Sequence, residues 1–275
     1  MTDRRLTPAN GRVAAVELKG QVTAEHFVAG VWQAAARPVV DLLDAPGGRR
    51  DRQLLFGETF RVLEDHDGHA FGQARRDGHV GYIAVVDLKP VIDCTHFVAT
   101  PATHAYPGPD FKAHEDMALP FGARFRVVSA SGRFFETEEG LFVPKPHLRP
   151  LNAAMRDPAT VAQLFFGSPY LWGGNSTRGV DCSGLVQAAH LACHIDCPGD
   201  SDLQQSALGT ELPQGTAPRR GDLFFWPGHV AIAVDAEILI HANAYHMAVA
   251  YEPIRDAIAR IEDQGDGPLT AHKRL

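Results

Sequence analysis

The sequence predicts an α+β chain: two small β-barrels, then a domain that starts with helices and ends in an antiparallel sheet. Three observations predict it. "LLFGETFRVL" (54–63) is echoed by "ALPFGARFRVV" (118–128), with Phe56-Gly57 and Phe121-Gly122 in register. "NAAMRDPATVAQLFFG" (152–167) carries apolar residues at helical spacing. Beyond it "LFFW", "HVAIAV" and "ILIHANA" read as successive strands joined by tight turns.

The elements follow in order. Residues 1–35 form a helical or irregular lead-in. Residues 36–90 and 91–150 are the two barrels. Each Phe-Gly unit follows a Pro/Gly-rich charged stretch, "DAPGGRRDRQ" or "AYPGPDFKAHEDM". Each is followed by a short strand-like piece, "GYIAVVDL" (81–88) or "GLFVPKPHL" (140–148). Residues 151–275 form the third domain. Its first helix starts near Asn152 and stops at Gly167-Ser168-Pro169. A glycine-rich turn, "YLWGGNSTRGVD", then leads into a helix begun by Cys182.

Composition narrows the function. Of 275 residues 45% are hydrophobic and 21% charged, the proportions of a globular protein. A net charge of −7 gives no electrostatic reason to expect nucleic acid or an anionic membrane as partner. No apolar run approaches the roughly 18 residues of a membrane span, and the N-terminus lacks an apolar core of signal-peptide length. A cytoplasmic location is the expectation. Four cysteines, Cys94, Cys182, Cys193 and Cys197, are too few for a disulfide framework. "HLACHIDC" clusters histidine and cysteine, but its spacing matches no common zinc pattern. No metal and no organic cofactor are expected.

Cys182 carries the chemistry. Asp181 and Ser183 are helix-start residues, so the thiol sits beside unpaired backbone N–H groups and the positive end of a helix dipole. That place favours thiolate and offers donors to an oxyanion. It serves a small buried cysteine equally well. Two histidines tip the balance. A hairpin turning around Asp235 puts His229 and His241 directly opposite, on one face, with Cβ atoms about 4.5–5.5 Å apart. One imidazole takes the thiol proton and the other orients it. Both interrupt nearly apolar runs, a costly choice without a partner.

"YLWGGNSTRGVDCSGLV", "RRGDLFFWPGHVAIAV" and "ILIHA" resemble the three signature blocks of the NlpC/p60 cysteine peptidases, in order and over about 120 residues. The two upstream units resemble bacterial SH3-like domains. Together they resemble the three-domain branch of dipeptidyl-peptidase VI type. The resemblance implies a circularly permuted papain-like fold and cleavage of murein stem peptides between γ-D-glutamate and a diamino acid. It makes Cys182 the nucleophile, His229 the general base and acid, and His241 the orienting residue. Tyr170 then stands beside the nucleophile as an oxyanion or leaving-group donor, or is a core aromatic. Asp181 and Ser183 contact the N-terminal part of the peptide, although Asp181 also reads as a plain helix cap. Glu58 in "FGETF" pairs with the ammonium of a free N-terminal L-Ala, or is an exposed barrel carboxylate.

Two departures stand out. "GHVGYI" puts His79 where relatives tend to have tyrosine, and Tyr82 where they have tryptophan; the resemblance makes both substrate-binding residues, with His79 able to donate a hydrogen bond. Gly199 stands where they often place arginine. The expected partners are murein stem peptides, and the expected role is recycling of murein peptides. Alternatives are an exported hydrolase or amidase acting on intact wall, and a catalytically dead wall-binding protein.

Overall fold

The computed structural model describes residues 3–275, and the chain divides after Asn152 into two compact units. In the first unit, strands Arg50–Leu55, Val39–Leu43, Val80–Ala84, His69–Ala74, Thr59–His66, Val31–Ala35 and Leu88–Pro90 lie side by side in that order. All pairings are antiparallel. Inward positions alternate along them, and Val40, Leu42, Leu54, Phe60, Ala70 and Ile83 form the core. The lead-in is not helical. It pairs Val13–Ala15 in parallel with His26–Val28 around one 3-10 turn at Val16–Leu18, and Val13 and Ala15 pack on Leu63, Phe71 and Val80. It also ends earlier than expected. Val31–Ala35 pairs with Thr59–Val62 and is a strand of the first barrel.

Around its second Phe-Gly turn this unit repeats three backbone hydrogen bonds of the first. The Gly57 N–H donates to the Ala35 carbonyl and the Gly122 N–H to that of Val98, at 3.0 and 2.9 Å. Phe56 and Phe121 likewise donate to Pro38 and Pro101, and Ala36 and Ala99 to Asp87 and His147. Gly57 and Gly122 have φ of 79° and 89°, the left-handed conformation that the Phe-Gly turn requires. Phe56 leaves its own barrel. It is buried with Val98, Leu119, Phe125 and Val143, 5.1 Å from the Phe125 ring, and covered by the Lys89 ammonium at 3.8 Å.

The main sheet of the second unit has six antiparallel strands, in the order Thr210–Glu211, Ala271–Arg274, Leu223–Trp226, His229–Ala233, Ile238–Asn243 and Ala248–Pro253. The last and the C-terminal strands escaped the sequence reading. Helix α1 is Pro158–Gln163, much shorter than 152–167. Its start is fixed by Asp157, whose carboxylate accepts the Ala159 and Thr160 N–H groups, with Pro158 in the first turn. Helix α2, Cys182–Ala192, is nearly all buried, and α3 is Ser201–Ala207. Helix α4, Ile254–Asp263, buries Ile254, Ala257 and Ile261 against Phe224, Trp226, Ala231 and Leu239 of the sheet. Replacing Phe56 by Ala empties the shared core of the first unit. It is expected to cost about 3–5 kcal/mol in urea unfolding, and a cost under about 1 kcal/mol would show that the ring does not hold that core.

Candidate active site

Cys182 opens α2 as expected, with Asp181 as its N-cap. The Asp181 carboxylate is fully engaged. Oδ1 accepts the Gly184 N–H at 2.6 Å and the Ser183 hydroxyl at 3.1 Å, and Oδ2 accepts the Gly173 N–H at 2.9 Å. Asp181 and Ser183 are buried and fasten the glycine-rich turn to the helix. Cys182 Sγ lies 3.8 Å from the carbonyl oxygen of Gly228, the residue before His229.

The hairpin differs from expectation by one step. Asp235 accepts the N–H groups of Glu237 and Ile238, both at 2.8 Å, which closes the turn. Ile232 therefore pairs with Ile240 and Ala233 with Leu239, so the centre is Ala236 rather than Asp235. A two-residue shift of partner keeps each side chain on its face. His229 and His241 still meet, diagonally rather than directly opposite, with Nε2 of the first 2.9 Å from Nδ1 of the second. By the same register Asn243 is the residue opposite His229.

Behind the histidines stands a residue the sequence reading missed. His241 Nε2 is 3.1 Å from Oε2 of Glu252, on the next strand. Arg260 of α4 donates to both oxygens of Glu252, at 2.8 and 2.7 Å. Burial opposes ionisation of Glu252, but the Arg260 guanidinium and the His241 N–H outweigh it and bring its pKa down to about 2. An ionised carboxylate only accepts. His241 must then carry its proton on Nε2 and present a bare Nδ1. His229 must donate its Nε2–H to that nitrogen, which leaves Nδ1 of His229 unprotonated. Burial, and next the neighbouring His241, lower the His229 pKa to about 3, so the ring is neutral at pH 7 and ready to take a proton. Burial likewise lowers the pKa of His241 despite its carboxylate partner.

A cleft of about 410 Å³ adjoins His229, lined also by Tyr170, Gly228, Asn243, Tyr245, Arg260 and Asp266. The structure thus brings Tyr170 to the cleft, half-buried, with its N–H on the Met247 carbonyl. His241, His246 and Glu252 place donor atoms within 4.8 Å of one another, a set able to hold a metal ion. The relay and Arg260 already engage the donors of His241 and Glu252.

The structure also places the barrel residues singled out in the sequence. Glu58 is not an exposed carboxylate. It is buried, ion-paired to Arg76 at 2.8 Å, and accepts the Leu55 N–H at 2.9 Å. Its charge is balanced inside the barrel by Arg76. His79 is 2% exposed, with Nε2 3.8 Å from Asp51 Oδ2. Tyr82 packs on the Phe71 ring at 5.0 Å.

Residues 167–261 match the model of the NlpC/P60 family, and residues 42–88 match that of the bacterial dipeptidyl-peptidase SH3 domain. The chain carries an NlpC/P60 domain behind an SH3 domain of that type. The chain is 36% identical over 94 residues to dipeptidyl-peptidase 6 of Lysinibacillus sphaericus, covering 34% of each protein. It is 27% identical over 144 residues to a gamma-D-glutamyl-L-lysine dipeptidyl-peptidase of Bacillus cereus, covering 50% of this chain and 40% of that one. A Bacillus subtilis protein of the same name is 24% identical, covering 69% of this chain and 71% of its own length. The chain thus spans about a third of the first relative and two-fifths of the second. The crystal structure of an NlpC/P60 family protein from Bacillus cereus superposes with a TM-score of 0.74 at 18% identity, over 89% of this chain and 99% of that one. The fold is shared.

Acid should loosen the NlpC/P60 domain. The folded pKa of His229 is about 3 against 6.5, and that of Glu252 about 2 against 4.5. The unfolded chain then binds more protons than the folded one through this window, so stability falls as pH drops from about 6.5. The urea midpoint is expected to fall between pH 6.5 and 4.5, and less steeply in His229→Asn. Parallel profiles for the two proteins would contradict the assignment.

Proposed function

We propose that this protein is a cysteine endopeptidase that hydrolyses the γ-D-glutamyl–diamino acid bond of murein stem peptides with a free N-terminal L-Ala, releasing L-Ala-γ-D-Glu. The observation that carries the reading is the relay from Glu252 through His241 to His229, whose bare Nδ1 belongs to the residue next to the carbonyl touched by Cys182 Sγ. The names of the two Bacillus relatives and the SH3 domain type support the substrate class.

The steps follow from the proton positions. Nδ1 of His229 takes the Cys182 proton as the sulfur attacks the γ-carbonyl carbon. The backbone N–H of Cys182 at the start of α2 would serve as a donor for the oxyanion. Protonated His229 keeps its Nε2–H on His241, where the Glu252 charge steadies it, and delivers the Nδ1 proton to the departing amine. Water, deprotonated by the same nitrogen, then releases the acyl group from sulfur. A free-end requirement is in keeping with a role in recycling soluble murein peptides inside the cell.

The test is incubation with L-Ala-γ-D-Glu-meso-diaminopimelate, its N-acetyl form and intact sacculi, followed by mass spectrometry. Release of L-Ala-γ-D-Glu from the free tripeptide alone is expected. Equal cleavage of the acetylated form would remove the free-end requirement, and cleavage of sacculi would favour an exported wall hydrolase. Cys182→Ala is expected to lose turnover by at least about 10³-fold with an unchanged circular dichroism spectrum; retained turnover would refute the nucleophile.

A further inference from the structure

Asn243 carries a side-chain amide that the relay does not use. Its side chain shares a sheet face with His241, two residues earlier, and lines the cleft beside His229. It is 6% exposed. Its amide orientation is fixed, because Oδ1 accepts the His246 backbone N–H at 2.7 Å and lies 3.0 Å from His246 Nδ1. The nitrogen, Nδ2, is buried and has no hydrogen-bond partner. Leaving two such donors unsatisfied is costly, so the position calls for an acceptor from a ligand. Nearby, the exposed Asp266 carboxylate lines the same cleft and enters no ion pair among the described residues, whereas Arg260 is bound by Glu252.

The cleft lies on the side of His229, the group that protonates the departing amine. We propose that it is the subsite for the leaving residue, with the Asn243 amide taking that residue's carboxylate oxygen and Asp266 its side-chain ammonium. The ligand class is a diamino acid. A cleft of about 410 Å³ has room for one such residue. A single carboxylate of the kind that Asp266 supplies selects for a terminal cation, and Asn243 selects for an acceptor at the α-carbon end.

The inference rests on the peptidase reading, and the two fail separately. The intact protein is titrated with L-lysine, meso-diaminopimelate, L-lysinamide and L-alanine while the Asn243 side-chain amide is followed by ¹H–¹⁵N NMR. Saturable shifts with lysine and diaminopimelate are expected. Lysinamide, lacking the carboxylate, should bind roughly tenfold more weakly or worse. Asn243→Ser should weaken lysine by a similar factor, and Asp266→Asn should abolish the preference for lysine over alanine. No saturation in the wild-type protein, or equal affinity for lysine and lysinamide, overturns the subsite even if the tripeptide is cleaved. Lysine binding with these preferences upholds it even if no peptide is cleaved.

Discussion

The site depends on one ion pair, that of Glu252 with Arg260. A neutral imidazole has two tautomers, and a pair of them in contact has no intrinsic direction. The carboxylate supplies one. It accepts from His241, His241 accepts from His229, and the bare nitrogen of His229 is what remains at the end of the chain. Arg260 keeps the carboxylate ionised despite its burial. Without that charge either proton arrangement would serve, and one of them puts a hydrogen where a base must have a lone pair.

The fold holds these groups with little freedom. His229, His241 and Glu252 lie on three successive strands of one sheet, so their spacing is that of the β-ladder. Arg260 comes from α4, whose apolar face is buried on that sheet. Cys182 comes from α2, packed among buried residues and tied at its start by three donors to Asp181. A site built on regular elements keeps its geometry better than one built on loops.

Much of this was legible in the chain. The Phe-Gly units could be found because a turn at Gly57 and Gly122 needs a positive φ, and the α2 start because aspartate and serine favour that place. The hairpin turns one residue later than the sequence suggests. Asp235 looks like the tip of the turn, yet its carboxylate binds the two amides that follow and moves the centre on to Ala236. Parity rescued the histidine pair, but Asn243 rather than His241 faces His229. Glu252 was invisible, since "AVAYEP" reads as an ordinary edge-strand pattern and its partners come from another strand and from a helix. Glu58 reads equally well as an exposed carboxylate of a barrel strand until the fold supplies Arg76 beside it.

The proton positions on the two rings are the heart of the account, and ¹⁵N NMR of the histidine side chains reads them directly. At pH 7 His229 is expected to be neutral, protonated on Nε2 and bare on Nδ1, and Glu252→Gln is expected to lose that single tautomer. A His229 carrying its proton on Nδ1, or doubly protonated at pH 7, would contradict the account.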